Sequence, residues 1–107
     1  MTYDNENILT KEQIEKVISE LLKDDDYYHI SKVVLFGSYA RGEAEGNSDI
    51  DLVIFNSPSF KGMQVYSFIG DLKMKLHKDI DLFVDRNIDT DSKFYENIIK
   101  EGISIYE

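Results

Sequence analysis

The sequence contains no cysteine, so disulfide staples and thiolate metal sites are excluded, and a reducing compartment is permitted without being required. Positive charge is scarce as well: twelve Lys and Arg stand against twenty-one Asp and Glu, for a formal net charge of -9. That balance argues against a protein that tracks nucleic acid through its own basic surface, and no basic-aromatic alternation points to base stacking. No apolar run approaches the roughly 20 residues of a membrane-crossing helix, and the opening MTYDNENILT is polar and acidic rather than basic and then apolar. The expectation is a cytoplasmic chain with no direct nucleic-acid partner and no membrane partner. Linkers and low-complexity tracts are missing too, and the one proline, Pro58, falls in a loop. A length of 107 residues then makes one domain, 1–107, with a single core and no room for a separate acceptor-binding domain.

What is present is a regular alternation of short elements. Thr10 followed by Gln13 has the form of a capping box, and Ile14, Val17, Ile18, Leu21 and Leu22 recur at helical spacing, which predicts a helix from about Lys11 to Lys23. Asp24, Asp25 and Asp26 lack the alternating ligands and glycine of a calcium loop and read as a solvated acidic turn. ISKVVLF reads as a buried strand ending at Phe36, where Gly37-Ser38 breaks it, and DIDLVIF as a second strand. Phe60, Met63, Tyr66, Ile69, Leu72 and Leu76 form a helical stripe between Ser59 and His77. DIDLFV is a third strand, DTDSKFYENIIKEG a last helix stopped by glycine, and ISIY a short final strand. Strands alternating with helices around a mostly buried sheet make a small α/β domain.

Two of these strands carry nearly the same word, SDIDLVIF and KDIDLFVD. Successive strand residues point to opposite faces, so Asp49 and Asp51 share one face above Ile50, Leu52 and Ile54, and Asp79 and Asp81 do the same above Ile80, Leu82 and Val84. Adjacent carboxylates repel unless a cation lies between them. If the two strands are neighbours, three carboxylates can hold one or two Mg²⁺ ions, which favour oxygen ligands and share their shell with substrate phosphates. Solvated aspartates at exposed strand ends are the plainer alternative. Just upstream stands LFGSYARGEAEGNSDIDL, in which Gly37 and Ser38 fall where a strand ends and a short helix begins, with backbone N–H groups free for phosphate. The Gly37 to Gly42 spacing imitates a Walker loop, but Glu43-Ala44 stands where Lys-Ser/Thr belongs, and no G-x-S-x-G surrounds Ser38. Arg41 is either a donor to phosphate oxygens or the partner of Glu43 or Glu45 in a loop-stiffening ion pair. His29 and His77 have no partner at metal-ligand spacing and read as surface or packing residues.

The run Gly37-Ser38-Tyr39-Ala40-Arg41-Gly42, then Ser48-Asp49-Ile50-Asp51-Leu52, then Ile80-Asp81-Leu82 resembles the minimal nucleotidyltransferases, small members of the DNA polymerase β-like superfamily. The resemblance spans nearly the whole chain. It implies the polymerase β-like nucleotidyltransferase fold, a small mixed sheet with flanking helices, and Mg²⁺-dependent transfer from ATP. Carried over position by position, it makes Asp49, Asp51 and Asp81 the catalytic, metal-binding carboxylates for two Mg²⁺ ions. It makes Gly37, Ser38, Arg41 and Ser48 the nucleotide-binding set, and it leaves Asp79 as the rival to Asp81. Lone domains of this size resemble the antitoxin half of toxin–antitoxin pairs, which transfers AMP to a tyrosine hydroxyl of a HEPN-domain toxin encoded nearby. The acidic surface suits a basic, nucleic-acid-binding partner. Two other readings stand beside this one: an antitoxin that neutralises its partner by binding alone, and a small-molecule nucleotidyltransferase completed by a second copy.

Overall fold

The computed structural model describes residues 8–24 and 27–107. Helix α1, Lys11–Leu22, opens on the expected capping box: Thr10 Oγ1 accepts from the Gln13 amide at 3.0 Å, and Gln13 Oε1 accepts from the Thr10 amide at 2.7 Å. Its buried residues, Ile14, Ile18 and Leu22, lie four apart and face the sheet. Of the acidic run that follows, Asp24 is an exposed turn residue, while Asp25 and Asp26 lie outside the described residues.

Strand β1, Lys32–Phe36, leads directly into α2, Gly37–Arg41. Gly42, in the left-handed conformation at φ 74°, ends that helix by donating its N–H to the Ser38 carbonyl. Then come β2, Ile50–Phe55; α3, Met63–Leu76; β3, Ile80–Val84; a 3₁₀ turn, Asp85–Asn87; α4, Lys93–Glu101; and β4, Ile103–Tyr106. The sheet order is β3-β2-β1-β4. β1 is antiparallel to both β2 and β4, whereas β2 and β3, joined through α3, run parallel. The sheet is therefore mixed, with its one parallel pair at an edge.

The two faces of that sheet differ. On one, Val33, Leu35, Ile50, Leu52, Ile54, Ile80 and Val84 pack against α1 and α3 in a continuous apolar core. Phe60 and Phe68 are fully buried there and meet edge to face with centroids 5.8 Å apart. On the other, a smaller cluster of Val34, Val53 and Ile98 places α4 against the middle of the sheet. Helix α3 starts at Met63 rather than Ser59, and Phe60 enters the core from the preceding loop. Met63 and Tyr66, which share the expected apolar stripe, are exposed; the buried face is set by Phe68, Leu72 and Leu76. Four-residue spacing from Phe68 fits the α-helical period better than the three-residue steps that link Phe60, Met63 and Tyr66. Among the described residues no helix is long and apolar enough to cross a membrane.

Candidate active site

Strand register brings the two aspartate words together. Ile50 pairs with Ile80, Asp51 with Asp81, and Leu52 with Leu82. Because parallel neighbours in register keep the same face, the Asp51 and Asp81 carboxyls stand side by side on the sheet face opposite α1 and α3. Asp49 lies just before β2 and is exposed, lining a cleft. Asp79 lies just before β3 and is paired with Lys73 at 3.0 Å, well out in solvent. Of the four aspartates, Asp49, Asp51 and Asp81 form one electrostatic group, and Asp79 has its own counter-ion.

The consequences fall on Asp51. Burial raises its pKa to about 6, and the charge of Asp81, a hydrogen bond shared with Asp81 and the charge of Asp49 push the same way; Arg41 opposes them weakly. Gly37 explains how the carboxyl is seated. At φ +75° it occupies backbone space that favours glycine, and a Cβ placed on it would overlap Asp51 Oδ2. The strand-to-helix turn and the first aspartate word are thus packed in direct contact. Phe36 stands opposite Asp51 in the β1–β2 register, so the turn begins at the level of the carboxylates.

Ser38 is the second residue of α2, partly exposed, and the first-turn amides around it have no carbonyl partners within so short a helix. Its carbonyl accepts from both Gly42 and Glu43. Arg41 is engaged in two ion pairs, through Nε to Glu43 at 2.9 Å and through an Nη to Glu101 at 3.4 Å. The hydrogen bond to Glu43 holds its pKa above the usual guanidinium value. The brace therefore reaches α4 as well as the loop, a partner that sequence spacing does not show. Ser48 closes the loop, its Oγ accepting from the Glu45 amide at 2.8 Å while its own amide donates to the Glu45 carbonyl at 3.0 Å.

A cleft of about 850 Å³ opens beside Asp49, lined by Gly46, Asn47, Ser48, Lys73, His77, Lys78 and Asp79. That volume is of the size that takes a nucleotide-sized ligand. Lys78 is buried and donates to the Gly46 carbonyl, fastening the loop that carries Ser48 and Asp49. His77 caps α3 in the left-handed conformation. Sequence reasoning read His77 as a surface or packing residue and did not single out the lysines, although Lys73, Lys75 and Lys78 crowd just ahead of the second aspartate word in a strongly acidic chain.

The donor set suits a hard divalent cation. All three ligand candidates are carboxylate oxygens, and the like-charge pressure on Asp51 is what a cation would relieve. Among the described residues no three His, Cys, Asp or Glu side chains already close into a metal-binding group. Asp51 and Asp81 are the two that meet.

Residues 12–107 match the family described as "Polymerase beta, Nucleotidyltransferase". The chain is 30% identical over 103 residues to "Putative protein adenylyltransferase MJ0604" of Methanocaldococcus jannaschii, covering 86% of this chain and 97% of that one. It is 37% identical over 73 residues to "Putative protein adenylyltransferase MJ1379" of the same organism, covering 64% and 69%. Among solved structures, a toxin–antitoxin with AMP-PNP superposes with a TM-score of 0.71 at 26% identity, covering 86% of this chain and 72% of that one. A tri-AMPylated Shewanella oneidensis HEPN toxin in complex with an MNT antitoxin gives 0.65 at 22% identity, covering 89% and 71%, which shows shared fold. With the glycine-serine turn, the paired aspartate strands and a family match over nearly the whole chain, the protein belongs to the polymerase β-like nucleotidyltransferases.

Proposed function

We propose that this protein is a Mg²⁺-dependent adenylyltransferase that moves AMP from ATP to a tyrosine hydroxyl of a HEPN-domain toxin, as an antitoxin. The observation that carries this reading is the in-register meeting of Asp51 and Asp81 against Gly37, which joins an anionic, metal-seeking site to a phosphate-ready turn. Two relatives bear the name of protein adenylyltransferase, and one similar solved structure is a toxin–antitoxin holding an ATP analogue.

The Gly37–Ser38 turn offers its free amides and the Ser38 hydroxyl to the triphosphate, and the absence of a side chain at Gly37 lets the anion approach the backbone. Asp49, Asp51 and Asp81 would hold Mg²⁺, which neutralises phosphate charge and polarises the α-phosphorus when bound. The phenolic oxygen forms a bond to the α-phosphorus as the bond to the bridging oxygen breaks, and pyrophosphate leaves. Asp81, the more exposed of the adjoining pair, takes up the hydrogen bond of the attacking hydroxyl and draws its proton away. Arg41 and Ser48 hold the turn and the loop in place through Glu43, Glu101 and Glu45.

The decisive assay incubates the protein with α-phosphate-labelled ATP, Mg²⁺ and the product of the neighbouring gene. Label on a tyrosine of that product, lost with EDTA, is the expected result. Neutralisation of the partner with no label transferred would favour binding alone.

A further inference from the structure

Resting on the adenylyltransferase reading, we infer that Phe36, Phe83 and Phe94 form an aromatic shelf that seats the phenol ring of the acceptor beneath Asp81. The three rings come from β1, β3 and α4, and their centroids lie 5.8, 5.6 and 5.1 Å apart, so they form one closed cluster. Phe36 is the register partner of Asp51, and Phe83 follows Asp81 by two residues on the same face of β3. The cluster therefore continues the carboxylate face without a gap.

Its exposure is the anomaly. Phe83 is 37% and Phe94 39% exposed, although Phe60 and Phe68 on the opposite side of the same sheet are fully buried. Phe83 belongs to neither apolar core cluster, so core packing does not account for a phenylalanine beside Asp81. Half-open aromatic rings next to reacting carboxylates suit a ligand that brings a flat apolar ring and a polar tip, and tyrosine has that form.

The placement also separates acceptor from donor. The large cleft is walled by Lys73 of α3, on one side of the sheet, whereas Phe94 belongs to α4 on the other. The cleft touches the carboxylate group only through Asp49, whereas the shelf continues the face that carries Asp51 and Asp81, so an acceptor ring on the shelf does not occupy the cleft. One strand step of two residues, roughly 6.6–6.8 Å, separates Phe83 from Asp81. A phenol stacked on Phe83 thus directs its hydroxyl to the Asp81 carboxyl, while a serine acceptor would leave the rings wet.

The test measures transfer from labelled ATP to the HEPN-domain toxin, with Phe83→Ala and Phe94→Ala compared to wild type, and Phe83→Tyr as the conservative variant. The expected result is a KM for the toxin raised about 10-fold by either alanine, with kcat and ATP affinity within about twofold and Phe83→Tyr near wild type. Melting temperatures identify any variant that fails to fold, and because Phe83 and Phe94 lie on different elements, one reports if the other is lost. Reduced ATP affinity, or reduced kcat at unchanged toxin KM, overturns the shelf. If wild type labels no tyrosine, the adenylyltransferase reading has failed, and NMR titration then tests the shelf by itself. Shifts of the Phe83 and Phe94 ring signals with N-acetyltyrosinamide and not with N-acetylserinamide uphold it; shifts with AMP alone, or with no probe, overturn it.

Discussion

Ile50-Asp51-Leu52 and Ile80-Asp81-Leu82 lie side by side in register, yet their carboxylates meet different surroundings. Asp51 is on an inner strand, wedged against Gly37 and pressed by two other acids; Asp81 is on the edge strand, exposed, beside an aromatic cluster. The same contrast separates the residues that precede them, since Asp49 lines a cleft and Asp79 is neutralised by Lys73. Identical local sequence thus meets different surroundings through strand order and the neighbouring turn: the inner word is pressed against Gly37 and like charge, which a cation would relieve, and the outer one faces solvent.

Substitutions that break the inner word should have the largest effect. Asp51→Asn removes the central ligand of the proposed metal site, and Gly37→Ala forces a side chain into the space of Asp51 Oδ2 at a φ of +75°. Both are expected to abolish ATP binding by calorimetry and to lower transfer by about 10³-fold or more. Asp81→Asn comes next, with transfer down about 10²-fold while much of the ATP affinity persists, because the role proposed for Asp81 is on the attacking hydroxyl. Equal loss of ATP binding in Asp51→Asn and Asp81→Asn would erase the contrast between the strands.

A pH experiment sharpens the same contrast without substrate. The folded-state pKa of Asp51, about 6, exceeds the ordinary value of 3.8, so between those values the folded protein keeps a proton that the unfolded chain has released. The stability tied to that proton is complete below about pH 4 and is lost as pH rises through about 6. In EDTA, Asp51→Asn should therefore melt higher than wild type at pH 7 and about equally at pH 4. The gap should be of the order of 1 kcal/mol, less than the shift at face value because the carboxyl is partly in water, or about 4–8 °C. Mg²⁺ at pH 7 should narrow it from the wild-type side.

Smaller effects complete the series. Ser38→Ala deletes one hydrogen-bond donor to phosphate and should weaken ATP binding by roughly 1 kcal/mol, about fivefold. Asp79→Asn loses only a solvent-exposed pair with Lys73 and should leave transfer within about twofold. A larger loss at Asp79 than at Asp81 would reverse the assignment of the outer word.

Much of this arrangement was legible in the residues. The capping box at Thr10, the break at Gly37-Ser38 and the alternation in DIDLVIF are local signals, and local physics decides them. That Asp81 rather than Asp79 adjoins Asp51 depends on a pairing register between distant strands, which no single stretch encodes. The bridge from Arg41 to Glu101 spans sixty residues and is equally silent in the sequence. Tyr66 and Met63 mislead because apolar residues at helical spacing mark a face without stating whether anything covers it. The exposure of Phe83 is hidden for the opposite reason, since phenylalanine inside a strand ordinarily signals core.

Among the described residues strand β3 pairs with β2 on one flank only, and its outer flank is an open strand edge, the kind of template on which foreign strands assemble. Asp81 is exposed on this edge strand, and charged side chains on an edge deter edge-to-edge aggregation. On the proposed reading, carboxylates that serve the reaction would also discourage edge pairing. A variant stripped of them for biochemical study would lose a gatekeeper along with a ligand, and its solubility limit deserves measurement before its activity is compared.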